Sequence, residues 1–321
     1  MPFEDAAETR SPAAAEIRAP EIETQIWLLG QPPLTDYLDY VRKVVDGGED
    51  LDRRELVDGW RAANDYYHEL ETTEAGIADA AECLKLPDAL APLAEELSRR
   101  PSFRSTFDKL PTTFGMIELD KIVVSQRRVT QAFVEAQRAR LHPKPDLEGL
   151  FRFCQPLERR DPPVSIRRLG GQRFAFASPS NDFRFLDTAL LRPGQISGYE
   201  SSGPIGAVVG LVVGYGSNFL SVIRSEDRMV LHNGYHRACA LRAAGFSHAP
   251  AVIQTVTRRD ELELAATQAV VEDPAFYFRA KRPPLLKDFS DPRIRTLLRA
   301  RRMEKVVEIS FEVRDHTVTG V

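Results

Sequence analysis

Five consecutive residues, Asn233, Gly234, Tyr235, His236 and Arg237, bring together the residue types that handle anions. Gly234 lets the backbone take a positive φ, so that successive N–H groups face one concavity where a helix begins. Helix N-termini and such backbone nests hold anions, phosphates above all. His236 and Arg237 then fall in the first helical turn, where a cation suits the helix dipole poorly and a bound anion resolves the conflict. In that setting Arg237 grips phosphate oxygens bidentately, and His236 donates a hydrogen bond or moves a proton. The alternative is a turn whose arginine caps a neighbouring carboxylate.

The flanking residues predict how this group is positioned. Met229, Val230 and Leu231 form a short apolar run ending at His232-Asn233-Gly234, a strand running into a tight turn. Tyr235 to Ala244 carries Ala238, Leu241 and Ala244 at helical spacing, and Gly245 stops that helix. Ala249 to Val256 is a second apolar, β-branched run. The segment from Asn233 to Gly245 resembles the signature of the ParB/sulfiredoxin-like superfamily. Gly234, Arg237 and Ala240 match its Gly-x-x-Arg-x-x-Ala form; Gly234, His236 and Arg237 match its Asp-Gly-x-His-Arg form, with Asn233 where Asp is common. The resemblance implies a turn that binds nucleotide phosphates through Asn233, Gly234, Tyr235, His236 and Arg237. Members include CTP-binding partition proteins, sulfiredoxin and small-molecule kinases of the free-serine type.

Met116 to Val124 reads as a strand, Ser125 to Arg128 as a polar break and Val129 to Leu141 as a helix. The resemblance makes Gln126, Arg127 and Arg128 pocket residues; exposed arginines at a helix start are the alternative. Glu118 is a general-base candidate, or simply the outward residue of an alternating strand. About a hundred residues separate this segment from the turn, far more than in compact members, an insertion over about 143–227. Within it, Arg173-Phe174-Ala175-Phe176 alternates as a strand beyond a Gly170-Gly171 turn, and Phe151 to Cys154 suggests a loop. Asn181 and Asp182 lie in a dense polar cluster, where they cap a following helix or hold a substrate amine or a Mg²⁺ shared with phosphates. Gly206 to Val213 suggests a buried strand, and Ser217 and Asn218 after it are further pocket candidates. Neither GxGxxG nor a Walker Lys-Ser/Thr is present, so Rossmann and P-loop readings are rejected. Arg258 to Val270 reads as one helix. Ala275 to Asp288 interleaves Arg282, Lys287 and other cations with Phe276, Tyr277 and Phe278, a mix that stacks bases and binds phosphates, here as an ordered loop over the pocket. Ile294 to Arg302 reads as a basic helix and Val306 to Val313 as an edge strand.

The chain has 321 residues with net charge −4, 43% hydrophobic and 28% charged, a globular composition with no basic field for nucleic acid. No apolar run approaches a membrane span, and three scattered cysteines predict a reduced, cytoplasmic protein. Taken together, these observations predict an α+β protein. A disordered arm (1–23) and a helical N-terminal domain (24–110) precede an enlarged ParB/sulfiredoxin-like mixed-sheet domain (111–321). Its expected activity is small-molecule phosphotransfer or NTP hydrolysis with ATP or CTP and Mg²⁺, using His236, Arg237, Glu118 and Asp182, the last also as metal ligand. A non-catalytic nucleotide-sensing or DNA-associated regulator, a nuclease, and a pathway enzyme using the pocket without nucleotide are the alternatives. A small-molecule substrate is the expected partner, and a homodimer is left open. The acidic balance and the missing helix-turn-helix disfavour nucleic acid.

Overall fold

The computed structural model describes residues 21–31, 33–157, 161–180 and 182–317; residues 1–20 of the expected arm, and Asn181, lie outside them. The architecture is α+β, as predicted, with helices packed on mixed sheets. Its N-terminal part departs from a purely helical domain. β1 (Ile22–Leu28) takes in residues expected in the arm and in a first helix, with Ile26, Trp27 and Leu28 buried. Pro33 sets the start of α1 (Leu34–Val44), and Asp52 caps α2 (Arg53–Thr73) through the Arg54 N–H. Residues 75–84, within the expected helical domain, form no helix. Gly76, at φ +74°, donates to the Lys281 carbonyl, and β2 (Cys83–Lys85) follows. Helices α3 (Ala91–Arg99) and α4 (Pro101–Phe107) then lead into β3 (Thr112–Glu118). The single strand expected over 116–124 is two, because a turn at Asp120-Lys121 separates β3 from β4 (Val123–Val124).

β5 (Arg128–Thr130) runs into α5 (Gln131–Ala139). Residues 151–154, read as a loop, belong to α6 (Leu147–Cys154), capped by Asp146 and burying Leu150, Phe151, Phe153 and Cys154. The insertion then gives β6 (Ser165–Gly170), β7 (Arg173–Ser178), β8 (Phe183–Leu191) and β9 (Val208–Tyr215). Asp182 therefore precedes a strand, not a helix it could cap. β9 is half-exposed rather than buried, since it pairs only β8 in a two-stranded sheet, and Val209 is 63% exposed.

Next come β10 (Ser221–Ser225), β11 (Arg228–Asn233), α7 (Tyr235–Ala243) and β12 (His248–Thr255), the expected strand, turn, helix and strand with one further strand before them. The helix expected over 258–270 breaks into α8 (Arg259–Ala265) and α9 (Gln268–Glu272), followed by α10 (Pro274–Phe278). Residues 295–301 are β13 (Arg295–Arg301), not a helix: Leu298 and Ala300 turn inward while Leu297, Arg299 and Arg301 face out, a period of two. β14 (Lys305–Ser310) lies at a sheet edge as predicted.

The six-stranded sheet has the order β2-β3-β12-β10-β11-β4. β10 with β12 and β4 with β11 are parallel, and the other pairs are antiparallel. One face, with Leu220, Val222, Met229, Leu231, Ala249 and Ile253, buries α5, α6 and α7; the other packs against α8 to α10. β1 joins β13 and β5 in a second sheet, so that residues 22–28 share a sheet with 128–130 and 295–301.

Candidate functional site

β11 ends at Asn233, and Gly234, at φ +95°, turns the chain into α7. The left-handed φ favours glycine, and a Cβ there would also press within 3.2 Å of Leu220 Cα and Cγ. Asn233 stabilises the turn on two sides: its Oδ1 accepts from the Gly234 N–H at 2.6 Å and its Nδ2 donates to the Ser217 carbonyl. No side-chain hydrogen bond caps α7, whose bond from the Ala238 N–H to the Gly234 carbonyl spans 2.8 Å; N–H groups ahead of the first intrahelical bond have no partner within a helix.

Two polar loops flank this first turn. On one side, the Tyr235 hydroxyl donates to the Leu231 carbonyl (2.6 Å) and accepts from the Ser125 and Gln126 N–H groups (3.2 and 3.3 Å). His236 Nε2 accepts from the Thr130 N–H at 3.1 Å, with Phe133 edge-on to its ring. That bond makes Nε2 the unprotonated nitrogen. Burial, helped by Arg237, pushes the imidazole pKa down to about 4, so His236 is neutral at neutral pH. On the other side stand Ser217, Asn218 and the base of the β8–β9 hairpin. There Asp182 pairs with Arg184, and both crowd the position of a Cβ on Gly216. His232, at the end of β11, feels both charges; burial first and Arg184 second lower its pKa, against the pull of Asp182. Its Nδ1 is buried with no hydrogen-bond partner among the described residues.

Arg237 points inward. It is 6% exposed, and its Nη1 donates to the Cys154 carbonyl at 2.6 Å and more weakly to that of Phe153 at 3.4 Å, closing the C-terminus of α6. A cation there complements the helix dipole. The guanidinium thus reaches the carbonyls that end α6. Glu118 is not brought to the turn. It pairs with His248 at the far end of α7, where its carboxylate accepts from the Glu82 N–H and meets Lys121 at 3.1 Å. Arg128 stacks over the Tyr40 and Trp27 rings. Arg282 and Lys287 are already neutralised. Arg282, 1% exposed, is held by Asp288 and Glu74, and Lys287 meets Glu74 at 2.7 Å.

Behind the 125–127 loop lies a small cleft of about 20 Å³, open to solvent, lined by Tyr67, Phe276 and Tyr277 with Gln31, Gln126 and Arg127 around it. Phe276 and Tyr277 of the aromatic–basic stretch over 275–288 line it from helix α10, not from a loop. Gln31 and Tyr67 were missed. They sit in a segment read as a separate helical domain, and long-range contacts that leave no local sequence signal bring them here: the β1–β5 pairing, the Gln31 bond to the Arg282 carbonyl and the Tyr67 bond to Asp288. Among the described residues no group of three or more His, Cys, Asp or Glu could hold a metal ion, and no helix is long and apolar enough to cross a membrane. Compared with known proteins, the chain matches no family model, no curated protein and no solved structure.

Proposed function

We propose that this protein binds a nucleoside triphosphate, ATP or CTP, with its phosphates at the Gly234 turn, and that it transfers the terminal phosphoryl group to a small molecule or to water. The observation that carries the reading is the left-handed Gly234 opening α7 between two polar loops, with backbone N–H groups in its first turn and no side-chain cap. Arg184 and Arg127, both partly exposed and paired with Asp182 and Asp36, are the cations on the two flanking loops. A single carboxylate suits Mg²⁺, which keeps most of its ligands from water and phosphate; Asp182 would be that carboxylate. Bound there, the ion supplies charge neutralisation to the phosphates. The chain's own residues hold and orient the phosphates and stabilise developing charge.

The second reading is a nucleotide sensor without turnover. Its support is specific: Glu118 is at the other end of α7, and His236 is committed as an acceptor to Thr130.

Calorimetric titration with ATP and CTP in Mg²⁺, and with adenosine and cytidine, tests the phosphate site. The triphosphates are expected to bind more tightly than the nucleosides, and Arg184→Glu to weaken them at least tenfold, since a charge-assisted contact contributes about 1.5–3 kcal/mol. Triphosphates that bind no better than nucleosides refute the phosphate turn. Phosphate release or acceptor-dependent diphosphate formation then separates enzyme from sensor.

A further inference from the structure

The β8–β9 hairpin turns an uncharged face to solvent. Its register sets Phe185, Thr188 and Leu190 of β8 opposite Val213, Leu211 and Val209 of β9, and residues opposite one another in an antiparallel pair share a face. Five of these six are apolar. The charges of the two strands, Arg184 and Asp187, lie opposite Gly214 and Val212 on the other face. Phe185, Leu190, Val209 and Leu211 are 46%, 77%, 63% and 38% exposed. The other face is partly covered: Ala189, Leu191, Val208 and Gly210 are half-buried, and β14 runs close to β8. The two strands pair only with each other among the described residues, and a two-stranded hairpin is marginal in water unless packing supports it. A contiguous apolar face left in water marks an interaction surface.

We infer that a second copy of this chain covers the face, packing the same face of its own hairpin there about a two-fold axis. At about 150–250 Å² for a whole large side chain, the four exposed residues leave roughly 400 Å² in water. Two copies bury roughly 800 Å² of apolar surface. With the about 65% apolar share of homodimer interfaces, that makes roughly 1,200 Å² in all, where specific interfaces begin. Composition selects the occupant. An apolar face without charge is complementary to itself, and a two-fold axis brings identical faces together. A charged partner or an anionic membrane is drawn by opposite charge, which this face does not supply. The hairpin also needs cover whenever the chain is folded, and a second copy is present wherever the chain is.

Sedimentation of the full chain at micromolar concentration tests this on wild type, Leu190→Glu, Val209→Glu and Leu264→Glu. Leu264 is an exposed leucine of α8, so its substitution adds the same charge away from the hairpin. Wild type and Leu264→Glu are expected to sediment as dimers. Leu190→Glu and Val209→Glu should each raise the dimer dissociation constant by about a hundredfold or more, since a two-fold interface receives every charge twice. Both positions are exposed in one chain alone, so the far-ultraviolet circular dichroism of the variants should match wild type. Amide exchange on the unsubstituted protein gives a second reading. Protection across 208–213 should fall as the chain is diluted below the dissociation constant, while that of β11 and β12 holds. A wild-type monomer overturns the inference. So does a dimer that survives both glutamates, one that Leu264→Glu also dissociates, or hairpin protection that is independent of concentration.

Discussion

Replacing Tyr235 by phenylalanine removes one oxygen from the junction between turn and cleft and leaves the ring in place. That oxygen donates to the Leu231 carbonyl at 2.6 Å, accepts from the Ser125 and Gln126 N–H groups at 3.2 and 3.3 Å, and lies 3.0 Å from Ser125 Oγ. Tyr235 is 7% exposed, so the Leu231 carbonyl loses its phenol donor where water scarcely reaches, a loss of about 1 kcal/mol. Ser125 and Gln126 are half-buried at the cleft wall, where water replaces the phenol only in part, adding roughly 1 kcal/mol for the two N–H groups together. The expected total is about 2 kcal/mol, read as a lower urea midpoint at unchanged slope. A local signature accompanies it: the Ser125 and Gln126 amides exchange with solvent about tenfold faster, the factor that roughly 1.4 kcal/mol produces. A midpoint equivalent to less than about 0.5 kcal/mol of change, with those two amides exchanging at wild-type rates, refutes the argument; that change is the size of an ordinary surface substitution. The 125–130 loop would then be held by the β4–β11 and β1–β5 pairings instead.

Three further outcomes follow from the same structure. His236 has a folded pKa of about 4 against an ordinary 6.5, so its contribution is complete above pH 6.5 and is lost as pH falls toward 4. Urea stability should fall across that window by up to about 3 kcal/mol more in wild type than in His236→Gln, and an imidazole titrating above pH 6 by NMR would contradict this. Cys154 and Cys239, buried with thiols pushed up to about 12, should resist alkylation at pH 8 until the protein unfolds, while the partly exposed Cys83 is labelled first; mass spectrometry of labelled peptides checks the order. Asp288→Asn should destabilise by about 3–5 kcal/mol in urea, because it strips a buried guanidinium of its fully buried carboxylate and leaves Glu74 alone; a loss below 1 kcal/mol refutes a buried ion pair at Arg282.

The turn was legible because its signals are local. Gly234 marks a positive φ, the apolar run before it marks β11, and Gly245 marks the end of α7, each within a few residues of the feature it predicts. What stayed hidden depends on distant partners. Residues 295–301 carry arginines that helices favour, but pairing with β1 over seven residues imposes a two-residue period that local propensity does not reveal. The inward turn of Arg237 was equally unreadable, since its acceptor is the last carbonyl of a helix eighty-three residues earlier, in a segment that looked like a loop. Lys287 looked like a phosphate ligand because its carboxylate partner Glu74 is more than two hundred residues away in sequence, and the same Glu74 joins the nearby Asp288 in holding Arg282.

These placements alter what the Gly-Tyr-His-Arg turn can be taken to mean. Gly234 is needed for packing against Leu220, and Arg237 for closing α6, so both have architectural reasons to be present whether or not an anion binds. Loss of nucleotide binding in an Arg237→Ala variant would therefore not separate a lost ligand contact from a lost helix contact. Gly234→Ala sets the scale of the architectural part. A left-handed φ costs a non-glycine residue about 1–2 kcal/mol, and a Cβ 3.2 Å from the Leu220 backbone adds about 1–3 kcal/mol of overpacking. The expected loss is about 2–5 kcal/mol in urea without any ligand present; a loss under 1 kcal/mol would mean that the glycine is there for the ligand alone. Arg184, at the exposed base of the β8–β9 hairpin, pairs with Asp182 and not with the core, which is why charge reversal there tests the anion site at less architectural cost than a change at Arg237.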